Sequence, residues 1–243
     1  MWTMPTSGYG DHVTTVNILY HRPVSTRGQP YHHGNLRPVL IDTAVELART
    51  TGPDGVVLRE VARRAGVSHN AAYRHFEDRA ALLSEVSDCA MADLEEAMRT
   101  RIDAVTLSDP TARALERLRE TGRAYVAFAL REPGLFAVAF TVSAHPPVPT
   151  VAADPAEPAG PAEPTGPAEP TGPYGVLNGV LDELVECGAV TPAHRQGADV
   201  ACWAMVHGFA SLVVDGPLRE VPDEMREHLL ETVLDVVHRG LLT

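Results

Sequence analysis

Residues 58–76, LREVARRAGVSHNAAYRHF, decide how this chain folds. Val61, Ala62 and Ala65 recur at helical spacing and give a first short helix one apolar face. Ala62 is small enough for a second helix to cross close by. Gly66 falls where the first helix must stop, and glycine takes the left-handed conformation there without a Cβ clash. Val67 is the apolar plug of the corner, and Ser68 suits the N-cap of the next helix. That helix turns Ala72 and Phe76 inward. His69, Asn70, Tyr73, Arg74 and His75 lie on its other side. A short helix offering such groups outward from a rigid corner suits the major groove of DNA.

Working outward, Asn35 is placed to cap a preceding helix whose stripe is Leu36, Leu40, Ala44, Leu47 and Ala48. Pro38 falls in its first turn, where no intrahelical donor is lost. Gly52-Pro53-Asp54-Gly55 ends it. Asp78 caps a long fourth helix with Leu82, Leu83, Val86, Ala90, Leu94 and Met98 inside, reaching about Ile102. The pattern then predicts helices over 111–130, from Pro133 to Val142, from Tyr174 to Gly188, over 192–214 and over 223–239. Between them, residues 155–173 carry near-copies of a six-residue unit, PAEPAG, PAEPTG and PAEPTG. Two prolines per unit and nothing to bury predict an extended spacer, so 143–173 reads as a Pro-rich disordered loop. Residues 1–30 read as a disordered tail. Arg22, Arg27, His32 and His33 could form an arm for the minor groove or lie solvated.

The formal net charge of −12 is unevenly spread. Residues 1–80 hold nine Arg against seven acids, and the acidic excess lies wholly beyond them. A mildly positive head on an acidic body fits a DNA binder whose body never touches DNA, and conflicts with an architectural protein that coats DNA without regard to sequence. Cys89, Cys187 and Cys202 have no disulfide or metal spacing, so neither metal nor cofactor is expected. No apolar run approaches the roughly 18 residues of a membrane span, and the start lacks the pattern of a secretory signal; a cytoplasmic protein is expected. The alternative of a helical enzyme finds no support: His-Glu-x-x-His, a nucleophile elbow, a phosphate-cradling glycine loop and Cys-x-x-Cys are all missing, and no catalytic residue is assigned.

The run AGVSHNAAYRHFEDRAALL resembles the DNA-binding signature of the TetR family of bacterial repressors: an Ala-Gly-Val-Ser corner, then Tyr, a spacer, His-Phe, and a basic residue three positions on. The resemblance covers residues 35–86. Val57 stands where the family usually has Ser or Thr, and Arg79 where it often has Lys. Further on, CWAMVHGFASLVVDGPL resembles the C-terminal domain of a subgroup marked by Trp-x-x-x-His-Gly, here Trp203, His207 and Gly208. The resemblance implies an all-α chain, with a three-helix helix-turn-helix head over 31–78. A long fourth helix joins it to a helical ligand-binding and dimerisation body over 79–243. It implies a homodimeric regulator, a repressor released from a palindromic double-stranded operator by a small-molecule effector.

On that reading His69, Asn70 and Ala71 face base edges, while Arg59, Ser68, Tyr73, Arg74, His75 and Arg79 complete the DNA-binding set. Arg79 opens a helix, where a cation opposes the helix dipole by roughly 0.3–1 kcal/mol, so a phosphate is its expected partner. Tyr125, Phe128, Phe136, Phe140, Trp203 and His207 are the candidate effector-binding residues. The apolar stripes of the last two helices, Met205, Phe209, Leu212, Met225, Leu229, Val233 and Val236, are the expected dimer interface, because pairing two copies as a four-helix bundle hides both.

Overall fold

Short polar side chains start several of the helices. In the computed structural model, which describes residues 36–141 and 171–242, Ser68 Oγ accepts from the Ala71 N–H at 3.2 Å. Asp78 accepts from Ala81 at 2.8 Å and Asp109 from Ala112 at 2.7 Å. Each satisfies a donor that the first turn leaves free. Among the described residues every regular element is a helix, as expected for an all-α chain. The head is α1 (Leu36–Gly55), α2 (Leu58–Arg64) and α3 (His69–Tyr73). The connector is α4 (Arg79–Asp103), and the body is α5 (Pro110–Arg131), α6 (Pro133–Thr141), α7 (Gly172–Glu186), α8 (Pro192–Arg195), α9 (Ala198–Val214) and α10 (Asp223–Leu242). The helix α1 is interrupted at Gly52 and closes with a turn over residues 53–55.

The expected stripes are buried except at Leu36, which is half-buried: Leu40, Ala44, Leu47 and Ala48 on α1, and Leu82, Leu83, Val86, Ala90, Leu94 and Met98 on α4. One core runs from Leu40 and Phe76 through Val86 and Leu94 to Tyr125, Phe136 and Phe209. Packing is therefore continuous across residues 78 and 79. A smaller cluster holds Leu118, Leu177, Leu181, Leu184, Cys202 and Leu241.

The short helix α6 packs against both α1 and α4. At its start, a Cβ on Gly134 would lie 2.0 Å from the Ala48 carbonyl oxygen, so only glycine fits. Beside it, Arg49 of α1 donates to Glu132 at 3.2 Å and to Asp93 of α4 at 3.4 Å. Farther along, Ser87 Oγ of α4 donates to the Ala139 carbonyl at 3.4 Å. Head, connector and α6 meet at these contacts.

Three expectations are corrected. The helix read over 192–214 is two, α8 and α9, because Gly197 adopts a left-handed conformation (φ 77°) between them. Gly172 and Pro173, read as the end of the Pro-rich loop, form the first turn of α7, and Pro173 is buried. Phe209, read as a dimer contact, is 5% exposed and belongs to the protomer's own core. Residues 143–170 of the loop, the tail with its arm residues, Asn35 and Val142 lie outside the described residues.

Candidate functional site

The corner is built by backbone chemistry at Gly66. With φ at 70° the chain reverses, and the freed amides turn back on α2. Gly66 N–H donates to Arg63 O at 3.3 Å and Val67 N–H to Ala62 O at 3.0 Å. These two bonds satisfy carbonyls that the end of α2 would otherwise leave open. Ser68 then caps α3 as expected, whereas Val57 gives α2 no side-chain cap. Ala72 and Phe76 are buried, and they fix which side of α3 faces out.

His69, Asn70, Tyr73, Arg74 and His75 are exposed together with Ser68, and Ala71 is half-buried. The rings of His69 and Tyr73 meet edge to face at 4.5 Å. On α2, Arg63 and Arg64 both hydrogen-bond Glu60 and hold its carboxyl down to about 2, so much of their charge is spent within the helix. Arg59 and Arg74 are exposed and have no ion pair among the described residues. Behind α3, Arg37 lies over the Phe76 ring at 5.0 Å and pairs with Glu85 at 2.7 Å. Arg79 has partners that the sequence reading missed: its guanidinium donates to the carbonyls of Val56 and Pro53. Those partners are remote in sequence, and no local spacing announces them.

In the body, Tyr125, Phe136, Phe140, Trp203 and His207 converge on one aromatic box. Tyr125 lies 5.3 Å from Trp203 and 5.9 Å from Phe136, and Phe140 lies 4.8 Å from His207 (ring centroids). Tyr174 of α7 joins it through Trp203 at 5.8 Å. Tyr125 is fully buried, and burial raises its hydroxyl above the ordinary range. Burial lowers His207 below its ordinary value. Both shifts favour the neutral forms, and Tyr125 Oη lies 2.8 Å from His207 Nδ1, within hydrogen-bond distance. Phe128, expected in this group, is buried elsewhere in the core beneath Arg131.

A cavity of about 30 Å³ opens beside the box, lined by Met98, Leu118, Tyr125, Cys202, Trp203 and Leu234 among others. That space holds water-sized guests only, and a drug-sized ligand needs about tenfold more. Tyr125 and Trp203 are the expected effector residues that reach it; Phe136, Phe140 and His207 do not line it. On the outer side of α9 and α10, Met205, Leu212, Met225 and Val236 are exposed, whereas Leu229 and Val233 are half-buried. Among the described residues no helix is long and apolar enough to cross a membrane.

Comparison with known proteins bears on both regions. Residues 40–86 match a model described as bacterial regulatory proteins, tetR family, and residues 118–237 match one described as tetracyclin repressor-like, C-terminal domain. A curated relative, the nucleoid occlusion factor SlmA of Vibrio campbellii, is 33% identical over 97 residues, which span 40% of this chain and 46% of that protein. The match thus covers less than half of the curated relative. A solved structure of a protein of unknown function from Rhodococcus sp. RHA1 shares 28% identity, covers 89% of this chain and all of its own, and superposes with a TM-score of 0.61. A TetR variant from Acinetobacter baumannii AYE, solved in complex with minocycline, shares the fold at 17% identity with a TM-score of 0.54, covering 84% of this chain and 94% of its own.

Proposed function

We infer that this chain, which belongs to the TetR family of bacterial regulatory proteins, is a DNA-binding transcriptional regulator that works as a homodimeric repressor and leaves its operator when a small apolar molecule binds the body. The observation that carries the reading is the corner itself. The helix α3 turns Ala72 inward and His69, Asn70 and Tyr73 outward, Phe76 is buried just beyond it, and Arg59 and Arg74 are exposed cations with no ion pair among the described residues. His69, Asn70 and Ala71 read base edges; Arg59, Ser68, Tyr73, Arg74 and His75 hold the backbone. The chain acts in the cytoplasm as a regulator and not as an enzyme, and its body is of the subgroup marked by Trp203, His207 and Gly208.

Dimerisation uses the outer face of α9 and α10. Met205, Leu212, Met225 and Val236 are large apolar groups left in water by one protomer, and Gly208 has open space above its backbone. A second copy seated there covers both helices and sets two α3 helices to enter successive major grooves. The effector works through the aromatic box. Phe136 and Phe140 stand on α6, and α6 touches α1 at Gly134 and α4 at Ser87. A guest that widens the box displaces α6 and with it the head. The minocycline complex of a protein of this fold supports a small-molecule guest.

Selection from a random duplex pool with the full chain tests the reading. An imperfect palindrome with half-sites about one helical turn apart is expected. Retention of every sequence alike would instead mark a non-specific architectural protein.

A further inference from the structure

Arg79 opens α4, where a cation faces the positive end of its own helix dipole. Its guanidinium reaches across the base of the corner. Nε donates to the Val56 carbonyl at 2.8 Å and Nη2 to the Pro53 carbonyl at 2.6 Å. Those two carbonyls stand on the chain leading into α2, whereas Arg79 stands on the chain leading out of α3. One planar group thus joins the two ends of the helix-turn-helix.

The neighbouring residues make this joint matter. Val57 offers no side-chain acceptor, so the first turn of α2 has no local cap. Val56 is fully buried, and its N–H donates to the Pro53 carbonyl at 3.1 Å, so the segment forms a tight turn whose two carbonyls Arg79 shares. Asp78 fixes the first turn of α4 and gives Arg79 a firm base. Any tilt of α2 passes through the Gly66 corner to α3, because Val67 and Gly66 are hydrogen-bonded back to α2.

We propose that Arg79 is a positioning residue for sequence reading: its guanidinium staples the segment at Pro53 and Val56 to the start of α4 and so sets the angle at which α3 meets DNA, in place of the phosphate contact expected of a cation here. The proposal rests on the DNA-binding reading above. A guanidinium suits the task because its donors form a rigid planar fork, whereas a lysine ammonium is a single point on a flexible stem.

The test uses the full chain, the duplex enriched from a random pool, and a random-sequence duplex, each titrated with salt. Arg79→Ala and Arg79→Lys are compared with the parent, and amide hydrogen exchange is followed at residues 56–62. Loss of the staple is expected to weaken binding to the enriched duplex by about tenfold. Binding to the random duplex and the slope of log affinity against log salt should stay parental, with faster exchange at 56–62 in both variants. Two results overturn the staple: Arg79→Lys indistinguishable from the parent, or Arg79→Ala weakening both duplexes alike with a slope flatter by about one ion. If Arg79→Ala fails to fold, Arg79→Lys decides. A parent chain that enriches no sequence would instead defeat the DNA reading, leaving exchange at 56–62 to judge the staple alone.

Discussion

In the corner, Ala72 of α3 and Phe76 just beyond it are buried while His69, Asn70 and Tyr73 face water; in the aromatic box, Tyr125, Phe136, Phe140, Trp203 and His207 turn towards one another. The first arrangement presents hydrogen-bonding groups to a large, rigid partner that must be met from outside. The second pairs the Tyr125 hydroxyl with His207 internally and leaves a cavity of only about 30 Å³ beside it. On the proposed function, a reading surface is ready before its partner arrives, whereas the sensing site must be pried open. Between them lies α6, which carries two rings of the box and touches the head at Gly134.

The comparison breaks most completely if the corner can work without the body's outer face. Leu212 is 42% exposed in one protomer, so Leu212→Glu leaves the fold intact. It should nevertheless yield a monomer in analytical ultracentrifugation and weaken binding to the enriched duplex by on the order of a hundredfold, because the second half-site no longer benefits from linkage. A dimer with parental affinity would place the interface elsewhere.

A second substitution tests whether α6 couples the two regions. Gly134→Ala puts a methyl group 2.0 Å from the Ala48 carbonyl and must force α1 and α6 apart. The expected cost is about 1–3 kcal/mol in urea denaturation, with altered affinity for the enriched duplex. Parental values for both would mean that the head does not feel α6.

Much of the corner is legible because its signals are local. Gly66, Ser68 and Asp78 act within four residues of themselves, and each does what its position predicts. The buried stripes of α1 and α4 follow from spacing alone. The partners of Arg79 went unseen for the opposite reason: the two carbonyls lie 23 and 26 residues back in the chain. Phe209 was misplaced because α9 is apolar on several sides, and composition cannot say which side meets the protomer's own core. Phe128 shares the composition of the box but not its location. Gly197 divides a run whose apolar pattern continues on both sides, so periodicity hides the break.

The box itself can be sharpened by removing one oxygen. Tyr125→Phe deletes the hydroxyl that pairs with His207 Nδ1 and leaves a half-buried nitrogen without that partner. It should cost about 1 kcal/mol in denaturant unfolding while affinity for the enriched duplex stays parental. A loss of DNA binding as large as that of a corner variant would erase the division of labour.

The smallest expected effect is a pH dependence. His207 sits below its ordinary value through burial, and His238 through burial and then the charge of Arg119. The unfolded chain therefore takes up these protons first as pH falls. Their contribution to stability is present above the unfolded value of about 6.5 and declines as pH drops through it towards the folded values. Thermal unfolding should begin at lower temperature at pH 5.5 than at pH 7.5, and His207→Gln should narrow the difference. An unchanged difference in His207→Gln would mean that this imidazole is as accessible to protons folded as unfolded.

The division between reading and sensing is tested most directly at Asn70, which is exposed at the start of α3. Random-pool selection is run with the full chain and with Asn70→Ala. The account predicts the same palindromic spacing in both, with preference relaxed at one or two symmetry-related base pairs, each worth about 1–3 kcal/mol. Identical enriched sequences from the two chains would contradict it, because the corner would then hold DNA without reading it there.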